Sequence, residues 1–241
     1  MYKFIKTEKT KYTQTEIFIE IIIYRRKNKE RFYHRSHFLE NLEKSRFFQN
    51  GLPCDIAVFQ YNLGWSSWYK TIKNNINLIN KHFDKKEVTS RFYDKWYNKN
   101  YGSKAWLNYL LKYYPKFITL RTPHNAQPYL KSIFEDIWQH CEKELTNVSS
   151  HRFRSDQDLT PELFRTWQIC KGNFEPYNTY NDTKMFPLMI RPKQAVAAVR
   201  NQSYKLVCLN DNVHIRNYQQ VMKNIQEAFE SILPEKSTFE L

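Results

Sequence analysis

At 241 residues, with 41% hydrophobic and 17% aromatic side chains, the chain can bury a sizeable core and is no disordered tail. A formal net charge of +14 favours anionic partners: nucleic acid, anionic lipid or phosphorylated substrates. Only 4 glycines are present, and neither G-x-G-x-x-G nor G-x-x-x-x-G-K-[ST] occurs, which argues against Rossmann and P-loop nucleotide sites.

Residues 1–43 are polar and charged around one short apolar run, "IFIEIIIY" at 17–24. That run is far below the roughly 20 apolar residues of a membrane span, and it lacks the order of a secretory signal. From about Lys44 the sequence looks globular. "GLPCDIAVF" predicts a turn entering a strand over 54–59. "TIKNNINLINKHF" places Ile72, Ile76, Ile79 and Phe83 at helical spacing, and "WLNYLLKYYPKF" predicts an aromatic helix ending near Pro115.

A helix is predicted over 127–145, with Ile133, Phe134, Ile137, Trp138, Cys141 and Leu145 on its apolar face. Pro128 suits its first turn, so His124 and Asn125 would precede a helix N-terminus, which favours an anion. "SSHRFRSDQD" reads as a polar loop. A helix over 161–171 follows, with Thr160 as cap, Pro161 as first residue and Gly172 as terminator. "YKLVCLNDN" predicts a buried strand over 204–209 that stops on Asn210, Asp211 and Asn212. The final helix spans 217–232 and ends before Pro234. Cys54, Cys141, Cys170 and Cys208 form no C-x-x-C pair, as expected of reduced residues in a cytoplasmic protein.

Three polar clusters stand out: His124, the loop "HRFRSDQD" at 151–158, and "LNDN" at 209–212. Each has a plain structural reading as a cap, a solvated face or an Asx turn. The alternative for the last is a ligand site at the carboxyl end of a strand.

Taken together, "PHNAQPYLKSIFEDIW", "SSHRFRSDQDL", "YKLVCLNDN" and "FESILPEKSTFEL" resemble the Stealth family of sugar-phosphate transferases of capsule synthesis. The resemblance spans about 44–241, with the third conserved region near 120–170 and the fourth near 185–241. Residues 1–43 do not match. The family's V-D-x-V-Y-T-W-V-D-like strand and N-D-D are absent, so the chain is expected to be the C-terminal part of a transferase, truncated and inactive alone.

The resemblance implies an α/β fold in which helices pack on a small, incomplete sheet. It implies transfer of hexose 1-phosphate from a nucleotide sugar to a glycan hydroxyl. On that reading His124, Arg152, Arg154 and Asp211 are catalytic, and His151 and Asn210 bind substrate. Asp211 and Asn210 would hold a divalent cation, Mg or Mn, through hard oxygen ligands. Arg152 or Arg154 would fork onto phosphate oxygens. His124 would either donate to a phosphate oxygen or accept the proton of the attacking hydroxyl. The expected setting is cytoplasmic, at the inner membrane face beside membrane-associated capsule assembly machinery. No nucleic-acid partner is expected. Two alternatives stay open: a non-catalytic remnant that binds glycan or a partner chain, and a basic nucleic-acid binder with stacking aromatics.

Overall fold

The computed structural model describes residues 17–20, 48–49, 52–60, 67–123, 127–211 and 215–235. They divide into two units, the first formed by described residues up to Asn178 apart from Pro123, the second by Pro123 and those from Thr179 on. In unit 1, β1 (Ile17–Glu20), β2 (Phe48–Gln49) and β3 (Leu52–Asp55) precede α1 (Ser67–His82), α2 (Lys85–Arg91) and α3 (Tyr93–Trp96). A 3₁₀ segment (Lys99–Ala105) and α4 (Trp106–Leu110) follow, then β4 (Gln127–Leu130), α5 (Lys131–Ser150), α6 (Glu162–Cys170) and β5 (Glu175–Pro176). Unit 2 holds β6 (Thr183–Pro187), α7 (Pro192–Arg200), β7 (Leu206–Asn210) and α8 (Tyr218–Ile232). The class is α/β. Among the described residues the strands form three small sheets: β1 antiparallel to β4, β3 between antiparallel β2 and parallel β5, and β6 parallel to β7.

The strand expected over 54–59 is shorter, because side chains take over its hydrogen bonds. β3 ends at Asp55, whose own carboxylate accepts from Ile56 N–H at 2.7 Å. Arg165 Nη2 donates to the Ile56 carbonyl at 2.9 Å. Asn108 then accepts from Phe59 N–H at 2.9 Å and donates to the Ala57 carbonyl at 2.7 Å. Residues 56–59 are fully buried, so every one of these polar groups needs such a partner.

The helix expected from residue 127 starts instead at Lys131. Pro128 lies in β4, paired with Ile19 of β1. Gln168 of α6 acts as a second strand neighbour: its Nε2 donates to Pro128 O at 3.3 Å and its Oε1 accepts from Leu130 N–H at 2.9 Å. These long-range bonds hold the segment extended against its helical pattern. Within α5, Ile133, Ile137, Cys141 and Leu145 are buried as expected, whereas Trp138 is 41% exposed. The helix kinks at Cys141 (φ −132°).

The aromatic helix is also shorter than expected, ending at Leu110 rather than near Pro115. In α6 the Thr160 hydroxyl is no cap. It accepts from Asn75 at 2.6 Å and donates to Glu162, while Pro161 precedes the first helical residue. Gly172 does close the helix. With φ +74° it donates to Ile169 O at 3.0 Å, and Asn173 N–H reaches Gln168 O at 3.1 Å. That is the paired bonding of a left-handed C-terminal cap. A Cβ there would stand 2.3 Å from the Phe92 ring, so two separate reasons require glycine.

Candidate functional site

The loop after α5 is built around one buried carboxylate. Asp158 Oδ1 binds His151 Nδ1 at 2.6 Å and the Ser155 hydroxyl at 2.9 Å, while Oδ2 accepts from Ser155 N–H at 2.7 Å. Burial alone would raise the Asp158 carboxyl; the Ser155 backbone N–H, His151 and the Ser155 hydroxyl outweigh it and hold the group below the ordinary carboxylate range. Asn74 of α1 fastens the loop from outside, donating to Asp156 O at 2.9 Å and Asp158 O at 3.1 Å. Lys70 pairs with the Asp156 carboxylate.

From this frame Arg152 and Arg154 stand exposed, with the Arg152 guanidinium 5.3 Å from the Phe153 ring centroid. Two planar cations on one rigid loop suit phosphate oxygens. His151 meets the Asp158 carboxylate through Nδ1, so Nε2 is the ring nitrogen turned away from that contact. A carboxylate-oriented histidine is the arrangement of a general base.

The strand end lies in unit 2. β7 pairs in parallel with β6, with Asn210 opposite Pro187 and the Asn210 carbonyl accepting from Leu188 N–H at 3.0 Å. Val207 and Leu209, two residues apart and so on one face, pack against a core of Phe186, Leu188, Ala195, Ala198 and Ile225. The strand is half-buried rather than buried, because β6 is its sole strand neighbour among the described residues. Asn210 and Asp211 emerge exposed at its carboxyl end, where Tyr218 OH donates to Asp211 Oδ2 at 3.4 Å.

The structure thus gathers His151, Arg152 and Arg154 on one loop, and Asn210 and Asp211 at one strand end. His124 lies outside the described residues, as does Asn212. Among the described residues no group of three His, Cys, Asp or Glu side chains is placed to hold a metal ion. Asn210 and Asp211 supply two hard oxygen donors. That set fits a cation whose remaining ligands are diphosphate oxygens and water, and does not fit an all-protein cage. A shallow depression of about 360 Å³ elsewhere in unit 1, lined by His82, Asp84, Glu87, Arg91 and Lys171 among others, contains none of the expected site residues.

Sequence reasoning missed two groups. One is Asp158 as the organiser of the loop; it was visible in "HRFRSDQD", but nothing local marks which carboxylate turns inward. The other is the Asp55–Arg165 pair, separated by 110 positions. Arg165 Nε and Nη2 grip the two Asp55 oxygens at 2.8 and 2.7 Å, with both side chains buried. Arg165 Nη1 also reaches Thr122 Oγ1 at 3.4 Å, two residues before His124. The pair therefore anchors the chain that leads to that histidine.

Comparison with known proteins places these features. Residues 123–161 match conserved region 3 of Stealth proteins, and residues 197–241 match conserved region 4. A capsular polysaccharide phosphotransferase of Streptococcus pneumoniae is 30% identical over 201 residues, 83% of this chain and 59% of the relative. An exopolysaccharide phosphotransferase of Lactiplantibacillus plantarum is 31% identical over 196 residues, 80% of this chain and 57% of that protein. A receptor polysaccharide phosphotransferase of Streptococcus gordonii is 30% identical over 202 residues, 81% of this chain and 58% of its own length. The chain spans somewhat under three fifths of each of these relatives. Both site segments, the loop at 151–158 and the strand end at 210–211, fall inside the matched conserved regions. The chain therefore carries conserved regions 3 and 4 of Stealth proteins.

Proposed function

We propose that this chain acts in cell-surface polysaccharide synthesis, transferring hexose 1-phosphate from a nucleotide sugar to a glycan hydroxyl. The observation that carries the proposal is the 151–158 loop, where a buried Asp158 orients His151 and presents Arg152 and Arg154. Its relatives are named polysaccharide phosphotransferases, which supplies the reaction class.

In this reading the acceptor oxygen attacks the phosphorus that bears the sugar. The P–O bond to the second phosphorus breaks, nucleoside monophosphate leaves, and the sugar–phosphate bond survives. His151 Nε2, or His124, takes the hydroxyl proton. Arg152 and Arg154 neutralise the charge spread over the phosphoryl oxygens, which such transfer needs more than covalent catalysis. Asp158 is a positioning residue.

Asp211 and Asn210 would hold a divalent cation, Mg or Mn, whose chemistry is to screen the diphosphate. The proposal assigns roles to His124, to the arginine loop and to the 210–211 strand end alike. It sets the protein in the cytoplasm at the inner membrane face, beside assembly machinery, with nucleotide sugar and acceptor glycan as partners and no nucleic acid.

The test is the identity of the released nucleotide. A chimera in which residues 44–241 replace the matching part of the pneumococcal relative should release nucleoside monophosphate and form a phosphodiester visible by phosphorus NMR. Arg154→Ala should abolish both. Release of nucleoside diphosphate would mean sugar transfer without phosphate and would sink the proposal.

A further inference from the structure

Helix α4 and the turn after it invert the usual amphipathic arrangement. The side chain facing the core is Asn108, 0% exposed, bonded to Phe59 N–H, to the Ala57 carbonyl and, at 2.6 Å, to the Trp96 carbonyl. That orientation turns Trp106, Tyr109, Leu110 and Tyr113, at positions i, i+3, i+4 and i+7, toward solvent. Trp106 is 58% and Tyr113 89% exposed. A stripe of this width normally faces a core. Here a buried amide forbids it.

The display is held rigidly. Buried Lys85 donates through Nζ to the carbonyls of Leu111, Lys112 and Tyr114, at 2.8, 3.2 and 2.7 Å, fixing the turn that carries Tyr113. The buried Tyr97 ring backs the exposed Tyr93 and Tyr109 rings at centroid spacings of 4.6 and 5.1 Å. Lys112 Nζ lies 5.5, 5.9 and 5.7 Å from the centroids of Tyr93, Tyr97 and Tyr113. Lys99, Lys104, Lys112 and Lys116 flank the stripe in sequence, whereas Lys95 pairs with Glu175 at 3.8 Å.

We infer that this face docks on an anionic lipid surface. The stripe enters the headgroup boundary and the lysines meet lipid phosphates. Exposed Trp, Tyr and Leu bordered by Lys is the composition of an interfacial membrane segment. Exposed lysines beside the stripe are what a negative surface potential attracts. A glycan-stacking platform would keep its ring faces open, whereas Lys112 already lies near three of them. Among the described residues no helix is long and apolar enough to cross a membrane, so attachment by this face would be peripheral. The inference deepens the membrane-face part of the proposed function and is independent of its phosphotransfer step.

The experiment is co-sedimentation of the full chain with vesicles of phosphatidylcholine alone or with phosphatidylglycerol, in the absence of nucleotide sugar. Binding is expected to the anionic vesicles and to weaken with salt. Trp106→Ala with Tyr113→Ala should lower partitioning about tenfold or more, as should Lys104→Glu with Lys116→Glu. Both double variants should melt at the wild-type temperature, since the changes avoid the core. No partitioning into anionic vesicles, or equal partitioning of wild type and variants, overturns the inference. So does retention on purified polysaccharide that depends on Trp106 and Tyr113 without vesicle binding, which would make the face a glycan platform.

Discussion

Unit 1 and unit 2 hold their strands by different means. In unit 1, buried side chains supplement short strand pairings: Arg165 and Asn108 along residues 56–59, where Phe59 also bridges Leu120, and Gln168 along β4. In unit 2, β6 and β7 share a regular backbone ladder over a small apolar core. Directional polar clamps specify geometry sharply and fail abruptly when one partner is lost. An apolar core loses stability in proportion to the volume removed. The candidate segment of each unit inherits its character. The arginine loop is locked around Asp158, whereas among the described residues Asp211 is met by the Tyr218 hydroxyl at 3.4 Å.

The largest expected effect breaks the unit 1 frame. Arg165→Met leaves the Asp55 carboxylate buried and unpaired, and should cost about 3–5 kcal/mol in urea or thermal unfolding. Adding Asp55→Leu should recover part of that loss. A cost under about 1 kcal/mol for the single variant would show that the clamp is not what holds residues 56–59.

A smaller effect tests the loop. Asp158→Asn should cost about 1–2 kcal/mol, because the charged hydrogen bonds weaken while the shape is kept. The sign with pH follows from the lowered carboxyl. The folded pKa lies below the unfolded value of about 3.9, so the stabilisation is present above that pH. It is lost as pH falls further, through the folded value. The gap between wild type and variant should therefore be full at neutral pH and close below about pH 4. A gap that stays constant across that range would remove Asp158 as the organiser.

The smallest effect on stability belongs to the strand end. Asp211→Asn, at an exposed position, should change unfolding by less than about 0.5 kcal/mol. In the chimera it should nevertheless abolish transfer. Retained transfer would return the 210–211 pair to an ordinary strand terminus. A large loss of stability would instead mean that Asp211 is structural, and the contrast between the units would need redrawing.

Local pattern alone determined much of this protein. The apolar faces of α1, α5 and α8, the Gly172 terminator and the strand stopping on Asn210 all follow from periodicity or from one residue's backbone preference. The loop carrying His151, Arg152 and Arg154 was legible for the same reason: it is a polar interruption between two amphipathic runs. Tertiary structure decided what local pattern leaves open. Pro128 is extended because Gln168, 40 positions away, and β1 bind that segment. Asp55 meets Arg165 across 110 positions, a pairing no spacing encodes. The sequence predicts an aromatic helix from Trp106 but not which side of it faces outward. That was settled by the three hydrogen bonds Asn108 makes to residues 57, 59 and 96, which pair a buried amide that would otherwise go unsatisfied.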